Sequence, residues 1–166
     1  KDYGHVWISK PNKRDKIQIE SYLNLSFDFL LSKKIPEDLL KDKECFFAFL
    51  SGFTDAEGTI SISNGQAYYS VVNQNKRYLG YIRDKLIYLG IKCPRLYLSS
   101  EKGSPRIEGS KIYYSNKDCW SLRLSKKSEL HKLLIKIKPY VKHPKKVNNL
   151  KLAKINIEER NRKFGG

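Results

Sequence analysis

Leu50-Ser51-Gly52-Phe53-Thr54-Asp55-Ala56-Glu57-Gly58 is the stretch that decides how this chain is read. It closes the segment ECFFAFLSGFTD, residues 44–55, which is apolar nearly all round. That is the pattern of a buried helix, and Gly58 ends it. Ala48, Ser51, Gly52 and Asp55 share one face at helical spacing, and three of the four are small. Small residues on a helix face let a second backbone come very close. The acids Asp55 and Glu57 stand at the C-terminal end, where the helix dipole already concentrates negative potential. An acidic cluster there calls for a cation, and a divalent metal supplies it most simply.

Outward from this helix the punctuation is regular. Residues 59–63 alternate polar and apolar, Asn64-Gly65 is a strong hairpin signal, and residues 66–73 return as a second strand. Residues 78–89 are amphipathic and stop at Gly90, with Tyr78, Tyr81 and Tyr88 on a stripe read as core. Residues 95–99 and 120–124 read as strands around a polar loop containing Gly103, Pro105 and Gly109. Their apolar faces carry Leu96 and Leu98, and Trp120, Leu122 and Leu124. Ser128 is positioned to cap a helix running to Lys138, and a last basic helix spans residues 145–162. From residue 44 the order is α-ββ-α-ββ-α-α, an α+β domain with an antiparallel sheet.

Upstream, residues 5–9 and 17–23 read as a hairpin around KPNKRD, Ser26 as the cap of SFDFLLSKK, and Pro36 as the start of a turn before Lys41. Residues 1–43 are thus expected to be a hairpin-helix extension and residues 44–166 the main domain. Residues 5–36 also echo residues 95–139, as if the chain began inside an earlier repeat.

At 166 residues the chain has the length of one domain, with 40% hydrophobic content and a net charge of +16. Residues 120–166 hold 14 Lys/Arg against 3 Asp/Glu. Such a field attracts polyanions, and nucleic acid is the commonest partner of a basic, non-membrane domain. Cys45, Cys93 and Cys119 form no CxxC pair, which excludes a zinc ribbon or finger and argues against a disulfide framework. No apolar run approaches a membrane span and no signal peptide opens the chain, so an intracellular, non-secreted location is expected. The absence of Met points to a start inside a longer product. No [DE]-x-K triplet occurs, and His5, His131 and His143 lack metal-ligand spacing.

LSGFTDAEG resembles the LAGLIDADG motif of homing endonucleases. The segments VNQNKRYLGYIRDKLIYLGIK and LRLSKKSELHKLLIKIKPYVKHPKK extend the resemblance over residues 44–155. The resemblance implies a saddle-shaped antiparallel sheet with helices on one face. It also implies two motif helices packed side by side, from two subunits or two repeats, through Ala48, Ser51, Gly52 and Asp55. With one motif present, a homodimer is expected; the C-terminal half of a two-repeat chain is the other assembly. The family's metal-binding acid falls on Glu57, where Asp is commoner, and its first motif acid on Asp55. Ala56 would offer its backbone carbonyl to the metal, Gln74 would hold water, and Lys127 or its neighbour Lys126 would be the activating base or phosphorane stabiliser. Mg²⁺, or another divalent cation such as Mn²⁺, suits all-oxygen ligands.

The implied activity is site-specific hydrolysis of both strands of a long double-stranded DNA. The alternative is a non-cleaving nucleic-acid binder on the same fold, such as an intron maturase or a DNA-binding regulator. Strand alternation makes Ser61, Ser63, Arg95, Tyr97, Ser99, Ser121 and Arg123 the candidates for reading bases, with Tyr69 and Asn73 from a strand whose alternation is ambiguous. Lys142, Lys145 and Lys146 are expected at phosphates.

Overall fold

The structure is a computed structural model that describes residues 6–13, 16–21 and 35–164. It separates into two compact units, Lys1–Glu37 and Asp38–Gly166. In the smaller unit β1 (Val6–Ile8) pairs antiparallel with β2 (Ile19–Ser21), as the hairpin pattern predicts. The segment SFDFLLSKK lies outside the described residues.

The larger unit opens with a 3-10 turn, Leu39–Lys41, which buries Leu40. Asp42 then caps α1 (Lys43–Glu57), its carboxylate accepting from the Cys45 amide at 2.8 Å, so one of the orphan donors of the first turn is satisfied. After Gly58 the chain runs straight into β3 (Gly58–Ser63) and β4 (Gln66–Asn73). Asn64 and Gly65 both take positive φ, 50° and 72°, as a two-residue primed turn requires. Asn75 caps α2 (Lys76–Tyr88). There follow β5 (Tyr97–Ser100), β6 (Pro105–Glu108), β7 (Lys111–Tyr114) and β8 (Cys119–Leu124), then α3 (Lys127–Ile137) and α4 (Pro144–Phe164).

One antiparallel sheet of order β3-β4-β8-β5 carries the fold. The α-ββ-α-ββ-α order is as expected, except that the loop between β5 and β8 is itself a hairpin. Pro105 faces Tyr114 and Ile107 faces Ile112 across β6 and β7, with Gly109 at φ 60° turning between them. Hydrogen bonds from Gly103 N to Ser115 O and from Ser115 N to Ser104 O extend this ladder beyond Pro105 and Tyr114. Glycines and prolines mask this alternation in the sequence, because both break a strand pattern when read locally.

Helix starts shift slightly. α3 is entered through Lys126, and Ser128 lies in its first turn rather than at its cap.

The core forms where the helices cover one face of the sheet. Phe46, Phe47 and Leu50 of α1, Leu79, Ile82 and Leu86 of α2, and Leu130, Leu133, Leu134 and Ile137 of α3 meet Ile60, Tyr69, Val71, Leu122 and Leu124. Each such side chain contributes about 1.5–3 kcal/mol when fully buried. Of the tyrosine stripe on α2, Tyr78 and Tyr81 are half-buried and Tyr81 packs on the core, whereas Tyr88 is 81% exposed.

β3 is an edge strand, and α4 closes it. Beside its buried residues Leu150, Ala153 and Ile157, α4 presents Lys146 to the Gly58 carbonyl and Asn149 to the Ile60 carbonyl at 2.9 Å. Asn156 accepts from the Ala67 amide at 2.9 Å and donates to the Gly65 carbonyl at 3.1 Å. Capping these groups removes a template for unwanted strand pairing.

The junction from α1 to β3 is tight. A Cβ built on Gly58 would stand 2.7 Å from Thr54 Cα and 2.8 Å from Thr54 O, both backbone atoms. Gly58→Ala should therefore destabilise the domain by about 1–3 kcal/mol. It should lower the urea midpoint without altering the slope; an unmoved midpoint would contradict this packing.

Candidate active site

Two elements end together at one cleft. Glu57 is the last residue of α1 and is exposed; Asn73 and Gln74 close β4 and its exit. With Val72 and Cys119 they line a cleft of about 390 Å³. Glu57 and Gln74, 17 positions apart in sequence, are brought together because β3 and β4 fold back over the turn at Asn64 and set Gly58 opposite Val71. Asn73 turns its amide oxygen to the Asn75 N–H at 2.8 Å, so it shapes the start of α2 at the cleft wall.

The neighbouring acid behaves differently. Asp55 is half-buried and its Oδ2 accepts from the Lys142 amide at 2.8 Å, tying α1 to the connection between α3 and α4. Its Oδ1 is buried with no hydrogen-bond partner among the described residues. A buried unpaired carboxylate oxygen is costly and is rarely left so in a finished assembly.

Register divides the sheet into two faces. Residues paired as Thr59 with Ser70, Ser61 with Tyr68, Ser70 with Arg123 and Val72 with Ser121 point away from the core. Ser61, Ser63, Tyr97 and Arg123 lie on this open face as the alternation predicts. The Arg123 guanidinium rests 4.0 Å from the Tyr68 ring, which holds it in place. Ser99 is exposed and donates to the Cys119 carbonyl at 2.9 Å. Arg95 is exposed but precedes the strand.

Tyr69 is not on this face. It is wholly buried, its hydroxyl 3.0 Å from Thr54 Oγ1, and burial pushes its phenol well above the usual range. Its neighbour Tyr68 occupies the place expected for it, a difference that adjacent tyrosines conceal in the sequence. Ser121 has the expected orientation but is 1% exposed and bonded to Ser70 at 3.2 Å, so it cannot itself touch a ligand. Thr59, in the same alternation as Ser61 and Ser63, is a further open-face residue, and so are Gln66, Tyr68 and Ser70 of β4, whose alternation is ambiguous.

The lysines are redistributed as well. Lys126 and Lys127 follow the end of β8 remote from Cys119, roughly 20 Å along the strand from the cleft. They are not beside Glu57. Lys146 is closer: it donates to the carbonyl of Gly58, the residue after Glu57, from 88 positions away. Only the passage of α4 under the edge of β3 produces that contact. Lys142 and Lys145 are exposed.

On α1, Ala48 and Gly52 are exposed, and a Cβ built on Gly52 would meet nothing within 4 Å. Ser51 belongs to the core instead, donating to the carbonyls of Phe47 at 2.7 Å and Ile137 at 3.2 Å. Its small size serves the packing of α3 within the chain, so it is not part of the exposed helix face.

Among the described residues no group of three His, Cys, Asp or Glu side chains could hold a metal ion, and no helix is long and apolar enough to cross a membrane. No protein-family model and no curated protein matches the chain. Solved structures do resemble it. The homing endonuclease I-CvuI, in complex with a DNA target, is similar at 18% identity and TM-score 0.47, over 74% of this chain and 72% of its own. An archaeal intron-encoded homing endonuclease complexed with DNA is similar at 18% and 0.47, over 72% and 74%. The LAGLIDADG meganuclease I-AabMI is similar at 21% and 0.45, over 70% of this chain but 37% of its own. At these identities the likeness is one of fold, and no residue's role is carried across it.

Proposed function

We propose that this chain is a divalent-metal-dependent DNA endonuclease that acts as a pair of α1 helices, in the manner of the LAGLIDADG homing endonucleases. The observation that carries the proposal is the meeting of Glu57 and Gln74 in one cleft at the end of a polar sheet face, on a chain of net charge +16.

The donor set fits a hard cation. Glu57 supplies a carboxylate and Ala56 a backbone carbonyl at the negative end of α1, with Gln74 beside Glu57 to hold water. One chain offers one cleft carboxylate, so the site is completed by a second copy of the helix. Ala48 and Gly52 lie on the exposed side where that copy would pack. When bound, such an ion supplies Lewis acidity toward the phosphodiester and lowers the pKa of water at the cleft.

The chain's own groups do the rest. Gln74 orients the attacking water through its side-chain amide. Lys146, anchored on the Gly58 carbonyl, adds positive potential near the phosphate on which charge builds up. The open sheet face, with Ser61, Ser63, Tyr68, Tyr97 and Arg123, follows the major groove and selects the sequence. Lys142 and Lys145 meet phosphates and hold the register.

The test is incubation with a library of long randomised duplexes in Mg²⁺, with the products sequenced. Discrete double-strand cuts that disappear with EDTA are expected. Retention of selected duplexes without any cutting would replace the enzyme with a non-cleaving binder.

A further inference from the structure

A second cavity, of about 300 Å³, opens where β8 passes into α3. Its rim carries three cations from separate segments: Lys92 after α2, Arg123 on β8, and Lys126 at the entrance to α3, with Ser125 between the last two. Leu124 forms part of the lining. Glu129 also lines it, yet its carboxylate is already engaged by the Lys92 amide at 2.8 Å and by the Lys132 ammonium at 3.2 Å. Those contacts hold it below the usual carboxylate range, and Lys132 offsets its charge. The three rim cations are left in excess.

Three features suit the cavity to an anion rather than to a neutral ligand. Arg123 is fixed by its stack on Tyr68, so its guanidinium loses little freedom on binding. Lys126 contributes no side-chain cap to α3, and the positive end of that helix adds to the field. The apolar lining lowers the local dielectric and strengthens each charge interaction. The cavity also adjoins the open sheet face through Arg123, which belongs to both.

We infer that this cavity is a phosphodiester-binding pocket that anchors the DNA backbone, and that Lys126 acts there rather than in hydrolysis. The inference rests on the DNA-binding part of the proposed function. The pocket stands roughly 20 Å along β8 from the Glu57 cleft, so the anchored phosphate is on the order of six base pairs from the one at the cleft. Lys92 and Lys126 there fix the register, and Arg123 joins the pocket to the base-reading face.

The experiment measures affinity for a random-sequence duplex as a function of salt. Changing Lys92 and Lys126 together to Ala should reduce the slope of log K against log salt by about 0.9 for each phosphate released. Changing Lys136 and Lys138, exposed at the far end of α3, removes the same charge and should alter the slope less. An unchanged slope in the pocket variant, or an equal fall in both, would overturn the pocket while leaving DNA binding intact. Failure of the wild-type chain to bind duplex at all would overturn the proposed function itself. A second arm follows protection of Lys126 from acylation. Protection by duplex is expected, whereas saturable protection by inorganic phosphate alone at constant ionic strength would assign the pocket to a free anion.

Discussion

Glu57→Gln is expected to abolish cleavage while leaving duplex binding largely intact. The substitution is nearly isosteric, and the geometry of this helix end does not depend on the carboxylate. It is set by Gly58, whose amide returns to the Thr54 carbonyl and whose missing side chain admits the Thr54 backbone. What Gln removes is the charge that holds a divalent cation against the negative end of α1. Loss of the ion should raise the barrier by several kcal/mol or more, because water activation and phosphate charge relief go together. Binding rests on the open sheet face and the lysines, and loses one repulsive charge near the phosphates. Nicking in Mg²⁺ and a gel shift on the same duplex read the two properties separately. Cutting at the wild-type rate would end the assignment of Glu57, and loss of both properties would make it structural.

Gly52→Leu is expected to abolish the pairing of two chains, and Gly52→Ala gives the control that makes the result interpretable. In the single chain Gly52 is mid-helix, exposed, and has open space where a Cβ would stand. Helix propensity alone then predicts that Ala stabilises the isolated fold by about 0.5–1 kcal/mol. If a second α1 packs on this face, the added methyl group competes with the close approach of two backbones, and the sign of the effect reverses. Leu would hold the helices apart altogether. Light scattering with and without DNA measures the assembly, and urea midpoints measure the fold. A wild-type chain that stays monomeric on DNA would refute the paired-helix arrangement, as would a Leu variant that still pairs.

Asp55 bears on the same question from inside the chain. One of its oxygens holds the Lys142 amide and the other is buried without a partner among the described residues. Its role is thus partly intramolecular, in fixing the end of α1 against the α3–α4 connection.

Local patterns in the sequence were sufficient for the helix of residues 44–55, the Asn64-Gly65 hairpin, the stop at Gly90 and the α-ββ-α-ββ-α order. Each depends on contacts within a few positions: a cap, a primed turn, a period of 3.6 or 2. The resemblance added Glu57 and Gln74, and the hairpin that joins them is short enough for their meeting to follow from the turn. Side-chain direction in β4 was not legible, because Tyr68-Tyr69 and Val71-Val72 satisfy either alternation. The pairing of Tyr69 with Ile60 and Leu124 turns it inward. Ser51 likewise looked like an interface residue until the Ile137 carbonyl, 86 positions away, claimed its hydroxyl. Lys146 reaches Gly58 only because α4 seals the β3 edge, and Lys126 is carried to the far end of β8 by the run of the strand. Local backbone preference and periodicity determine which elements form. Which face a residue takes, and which distant lysine arrives at the end of α1, is decided by packing between elements far apart in the chain.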